Sequence, residues 1–140
     1  MERTYTTPLL DKLGIRPGFR VALVRITDPD IRNSLATRTS DVIEAADVID
    51  GAPAGDVDID VVLLGADTEH ELAQLAAWRS RIRPSGAIWV VSRKGRTATL
   101  RDIEVIAAAR AAGLVDNKVA AFSATHTALR LVIPGADRPR

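Results

Sequence analysis

Six side chains in this sequence have a type and a position that could do chemistry: Arg25, Asp28, Asp67, Arg93, Lys94 and His126. Arg25 and the pair Arg93-Lys94 could hold a phosphate or a carboxylate, because guanidinium and ammonium groups give charge-assisted hydrogen bonds to such oxyanions. Histidine titrates near neutrality as a residue type, so His126 could act as acid or base. Each residue also has a structural reading. Asp28 precedes Pro29 as a helix cap would, and Thr68 follows Asp67 in the same manner. Arg93-Lys94-Gly95-Arg96 reads equally as a solvated charged loop. His126 has no identified carboxylate partner, and His70 has no second histidine at metal-ligand spacing. No Ser-His-Asp elbow, P-loop or HExxH is present. Cysteine is absent, which excludes disulfides, thiolate catalysis and cysteine-based metal sites.

The elements that must position these groups read as alternating strands and helices. Residues 20–26 and 58–65 are runs rich in apolar and β-branched residues, the pattern of strands covered on both faces and hence of a parallel sheet. Residues 87–91 form a third such strand. Thr7, Pro8 and Gly14 suit the cap, first position and end of a short helix. Asp28-Pro29 starts another, with Ile31 and Leu35 one turn apart. Residues 41–50 read as a helix or a strand, and 51–55 as a loop. Thr68 and Glu71 have capping-box spacing and open a helix carrying Leu72, Leu75, Ala76, Arg79 and Ile82 on one stripe, with the Arg79 head reaching water. Arg83 to Gly86 is a turn, and Thr99 and Asp102 start a helix with Leu100, Ile103, Ile106 and Ala107 inward and Gly113 at its end. Residues 119–122 and 129–133 then make a hairpin around 123–127. The expected fold is a three-layer α/β sandwich, a mostly parallel sheet with right-handed crossovers and an antiparallel strand added last.

Ligands of open parallel sheets bind beyond the carboxyl ends of the strands. That rule gathers the candidates. The first strand delivers Arg25, Thr27 and Asp28; the second Gly65, Asp67 and Thr68; the third Ser92, Arg93 and Lys94; and the hairpin brings Thr125 and His126 to the same edge. Asp116-Asn117-Lys118 falls at the opposite edge. Trp78 and Trp89 read as packing residues.

The 140 residues, 46% hydrophobic and 26% charged, suit a single domain over 1–140. With 19 Lys plus Arg against 18 Asp plus Glu, there is no global electrostatic reason to expect nucleic acid or an anionic membrane as partner. The first residues have no apolar signal core and no stretch approaches the roughly 20 apolar residues of a span. A cytoplasmic location follows as the expectation.

Two stretches, "TPLLDKLGIRPGFRVALV" and the segment from "GAIWV" through "GLVDNKVAA" to "ATHTALRLVI", resemble a bacterial family classed as domain of unknown function 3052. Where that family usually has Thr-Trp-Ser, this chain has Thr125-His126-Thr127; a common cysteine is Ala120; and 27–56 is longer and different. The chain also resembles a truncated class I, Rossmann-like, adenosylmethionine-dependent methyltransferase. "RIRPSGAIWVV" is similar to the Leu-x-Pro-Gly-Gly lead-in of that fold and "AAGLV" to its Ala-Gly-Phe, while the Gly-x-Gly-x-Gly run after strand one is absent. The resemblance implies that Asp28 or Glu44 would stand where an acidic residue holds the ribose.

Three functions are consistent with this reading. The first is a non-catalytic methyltransferase-like domain, needing no cofactor, that binds a small anionic ligand or a protein partner. The second is a methyltransferase with an atypical cofactor loop, using adenosylmethionine. The third is a structural module that forms homodimers through its last strand, which would be a sheet edge.

Overall fold

The computed structural model describes residues 9–45 and 58–135. The apolar runs form β1 (Val21–Val24) and β3 (Ile59–Gly65), followed later by β4 (Ile82–Arg93). Before β1 lies α1 (Leu9–Lys12), and after it α2 (Pro29–Ala36), whose cap is Asp28: its Oδ1 accepts the Asp30 N–H at 2.9 Å. The described part of the ambiguous segment 41–50 holds a strand, β2 (Val42–Ala45), parallel to β1, and 46–50 lie outside the described residues. The expected loop at 51–55 and the expected cap at Thr7 and Pro8 lie outside the described residues.

The single helix expected after Thr68 is two: α3 (Glu69–Leu72) and α4 (Leu75–Arg79). The Ala73 and Gln74 N–H groups bond three residues back, to His70 and Glu71, which tightens the path and breaks the α-helical phase. Burial then falls on Leu72, Leu75 and Trp78, while Ala76 faces outward and Ile82 begins β4. The Arg79 head is not simply in water; its Nε donates to the Gly113 carbonyl at 3.0 Å. Then comes α5 (Asp102–Ala111), ended by Gly113 at φ 81° as expected. Thr99 does not cap it, because its hydroxyl donates to the Asp67 carbonyl; the Glu104 carboxylate accepts the Arg101 N–H instead. The fully inward residues of α5 are Val105 and Ala109; of the expected set Leu100 is buried and Ile106 packs partly against the core, while Ala107 is exposed and Ile103 is 66% exposed.

Strand β5 (Val115–Ala121) starts earlier than expected and takes in Asp116-Asn117-Lys118, with a register shift between Asp116 and Lys118. It pairs antiparallel with β6 (His126–Val132), which also pairs antiparallel with β4. The sheet order is β2-β1-β3-β4-β6-β5. The last strand is therefore interior, and the edges are β2 and, at this end, β5. That edge carries the irregularity at Asn117 and the charge of Lys118, both of which disfavour pairing with another chain.

Alternate residues of the sheet feed two cores. On one face Val24, Val62, Leu64, Ile88 and Val90 pack under α3, α4 and α5; on the other Leu23, Leu63, Trp89 and Val91 pack under α1 and α2. This is the three-layer sandwich, mostly parallel with an antiparallel hairpin. Trp89 is fully buried and its Nε1–H donates to the Leu13 carbonyl at 3.0 Å, fastening the end of α1 to the sheet. No described helix is long and apolar enough to cross a membrane.

Candidate functional site

A cleft of about 640 Å³ opens at the carboxyl ends of β1, β3 and β4, where the topology of a parallel sheet places it. Its first wall begins at Arg25, which ends β1 with φ 57°, the left-handed conformation that glycine adopts freely and other residues adopt at a cost of about 1–2 kcal/mol. The turn is held from several sides. The Arg25 N–H bonds the Ala45 carbonyl at 3.1 Å, and the Arg25 carbonyl lies so close to Gly65 that a Cβ there would stand 2.5 Å away. Its guanidinium reaches Glu71 Oε2 at 3.2 Å.

Glu71 thus has two tasks. Oε1 accepts the Asp67 and Thr68 N–H groups at 2.8 and 3.1 Å, and Thr68 Oγ1 accepts the Glu71 N–H at 3.2 Å, completing the expected capping box. The Asp67 amide most of all, then the Thr68 hydroxyl and the Arg25 charge, hold the Glu71 carboxyl below the usual glutamate range against the opposing effect of burial. A lowered folded-state value stabilises the fold above the ordinary value of about 4.3, and this contribution is lost as pH falls through the lower value. Urea midpoints measured from pH 6 down to pH 3 should therefore fall less steeply in Glu71→Gln than in the wild type. Parallel curves would refute that role.

The second wall is the β4–β6 pair. Arg93 and His126 stand directly opposite each other in the antiparallel register, so their side chains share a face. Asp67 Oδ1 accepts the Arg93 N–H at 3.1 Å, while Arg93 Nε is 3.8 Å from Asp67 Oδ2, a loose contact. Among the described residues the two terminal guanidinium nitrogens of Arg93 make no hydrogen bond. At the hairpin tip, Ser123 Oγ accepts the Thr125 and His126 N–H groups at 3.3 and 3.1 Å. Its hydroxyl also lies 3.3 Å from Thr125 Oγ1, a contact in which either oxygen can donate. Thr125 Oγ1 is in turn hydrogen-bonded to His126 Nδ1 at 2.8 Å, with the donor set by the histidine tautomer. That contact orients the imidazole, and among the described residues its Nε2 makes no hydrogen bond. Ile26, Pro29, Val91 and Phe122 supply the apolar part of the lining.

A family-wide sequence profile, described as protein of unknown function (DUF3052), matches residues 10–135. The chain belongs to DUF3052. No curated protein matches its sequence. Among solved structures, this DUF3052 chain is similar in fold to a SAM-dependent methyltransferase from Aquifex aeolicus, with TM-score 0.66 and 13% identity over 90% of this chain and 88% of that one. It is also similar to the pyocyanin biosynthetic protein PhzM, with TM-score 0.61 and 11% identity over 89% of this chain but only 53% of the other, so it spans about half of that protein. A TehB-like SAM-dependent methyltransferase from Corynebacterium glutamicum gives TM-score 0.55 and 12% identity over 90% of this chain and 85% of that chain. At these identities the likeness is one of fold.

Of the six residues singled out from the DUF3052 sequence, Arg25, Asp28, Asp67, Arg93 and His126 line the cleft. Lys94 does not: its N–H continues the ladder to the Thr125 carbonyl at 3.0 Å, and strand alternation sends its side chain to the face opposite Arg93. Glu44, the other acidic candidate, is bound by Arg32 at 2.6 Å, and the same guanidinium donates to the Ile26 carbonyl. Sequence reasoning took Glu71 only as a cap and missed Phe122 and Ser123 as lining residues. The capping-box spacing found Glu71 but carries no hint of its bond to Arg25. Among the described residues no group of His, Asp or Glu is placed to hold a metal ion.

Proposed function

We propose that this protein binds a small anionic molecule in the cleft on a methyltransferase-like frame, and that it transfers no methyl group. The observation that carries this reading is the Arg25 turn. In the related fold a glycine run at that point lets an adenosyl group approach the backbone. Here an arginine fills the left-handed position and its side chain crosses the ends of β1 and β3 to Glu71. The Glu44 carboxylate is bound to Arg32, which argues further against a ribose partner there. The anion is received on the opposite wall, by Arg93 and the Nε2–H of His126.

Calorimetric titration with adenosylmethionine and adenosylhomocysteine should give no heat at about millimolar ligand, an affinity limit near −4 kcal/mol. Acetate, benzoate, inorganic phosphate and phenyl phosphate should be screened by amide chemical shifts, with at least one moving Arg93 and 123–126. Micromolar adenosylmethionine binding, or a cleft unmoved by every anion, would overturn the proposal.

The strain at Arg25 gives a separate check. Arg25→Gly and Arg25→Ala both lose the bond to Glu71, but only glycine relieves the left-handed backbone, so the glycine variant should be the more stable by about 1 kcal/mol. Equal urea midpoints would show that the turn relaxes when the side chain is cut back.

A further inference from the structure

We infer that the anionic group is a phosphomonoester, held at the β4–β6 end of the cleft by Arg93 and His126, with an apolar midsection against Phe122. This rests on the anion-binding reading and narrows it. The fork of Arg93 has its two terminal nitrogens open among the described residues, and a guanidinium presents these to two oxygens of one oxyanion. A carboxylate is used up by that fork. A phosphate keeps a third oxygen, and the Nε2–H of His126, directly across the strand pair, is the donor placed to take it.

The surrounding charges orient the molecule. Asp28 and Glu71 lie toward the β1–β3 side and repel an anion there, whereas Asp67 stands beside Arg93 itself. Asp67 remains tied to the Arg93 amide when its loose side-chain contact is displaced. Between the two ends lie Phe122, Val91, Ile26 and Pro29, so a phosphate carried on a flat apolar group has a surface to rest on. His126 takes part through its Nε2–H, and Thr125 Oγ1, 2.8 Å from Nδ1, positions the ring for it.

Phenyl phosphate, inorganic phosphate and benzoate are the probes, titrated into the full-length protein with amide and histidine ¹⁵N shifts as the readout. Phenyl phosphate should bind about tenfold or more tighter than benzoate, since it adds one hydrogen bond to a charged acceptor and a second negative charge. It should also exceed inorganic phosphate. Arg93→Gln should weaken phenyl phosphate about tenfold or more, and Arg93→Lys should recover only part of that loss because the fork is gone. In the free protein the His126 ¹⁵N shifts should report the Nε2–H tautomer, and Thr125→Val should mix the tautomers and lower phenyl phosphate affinity without changing the melting temperature by more than a degree or two. Arg93 is a half-exposed residue, so its variants should fold, and their spectra verify it. Benzoate binding as tightly as phenyl phosphate, or affinity indifferent to Arg93, would overturn the phosphate assignment while leaving anion binding intact. Failure of all three probes to shift the cleft would remove both.

Discussion

Trp89→Ala should destabilise the protein by about 3–5 kcal/mol, the range for emptying a large aromatic site in a packed core. Small domains have about 5–15 kcal/mol in total, so the variant should be largely unfolded by modest urea. Trp89 is fully buried between β4 and α1, and its indole N–H satisfies the Leu13 carbonyl. The alanine variant therefore loses the packing and also leaves a buried carbonyl without its donor. Trp89→Phe separates the two, keeping a ring but no N–H, and should cost roughly 1–3 kcal/mol. Urea denaturation monitored by circular dichroism measures both; a Phe variant as damaged as the Ala variant would show that the hydrogen bond, and not volume, dominates.

The second large effect is expected at Gly65, where the fold and the cleft meet. An alanine Cβ would stand 2.5 Å from the Arg25 carbonyl oxygen and 3.4 Å from that of Val24, both backbone atoms in a paired region. Neither can move aside as a flexible side chain would, so β1 and β3 must separate locally. A cost on the order of 2–3 kcal/mol follows from overpacking of this kind. Gly95 is the comparison: its φ is 69° with nothing within 4 Å, so Gly95→Ala carries conformational strain alone, about 1–2 kcal/mol. Amide shifts in Gly65→Ala should spread over Arg25 to Asp28, whereas a variant with native stability and an unmoved Arg25 would contradict the close approach.

The parts of this fold that could be read from the sequence are those governed by short-range rules. Residues 20–26 and 58–65 gave their strands away by continuous apolar runs, and Asp28, Thr68 and Glu71 by the spacing of caps, because both signals are local. Three features depended on long-range geometry. The placement of β6 between β4 and β5 reverses which strand is the edge, and no local pattern distinguishes the two orders. The break of the helix at Ala73 goes with burial at every third position, Leu72, Leu75 and Trp78, a spacing set by the packing partner rather than by the local sequence. The outward turn of Ile103 reflects the phase of α5 once Val105 and Ala109 are inside.

The cleft shows the same division. The rule that strand ends converge brought Arg25, Asp28, Asp67, Arg93 and His126 together correctly. It could not separate Arg93 from its neighbour Lys94, because that distinction lies in the pleat at the last residue of β4. Nor could it show that Arg25 is engaged by Glu71 while the terminal nitrogens of Arg93 make no hydrogen bond among the described residues. Those are facts of side-chain reach, and the proposed wall for an anion rests on them.

The interior position of β6 bears on how the protein is made. Every other strand precedes it along the chain, yet it forms two ladders, and until it is in place β4 has a bare edge and β5 has no partner. During synthesis the sheet can therefore assemble only as far as β2-β1-β3-β4, and its closing step must wait until β6 has left the ribosome. His126 is the first residue of that strand. If an anion is bound as proposed, a nascent chain could not receive it before the sheet is finished, and its capture would mark completed folding.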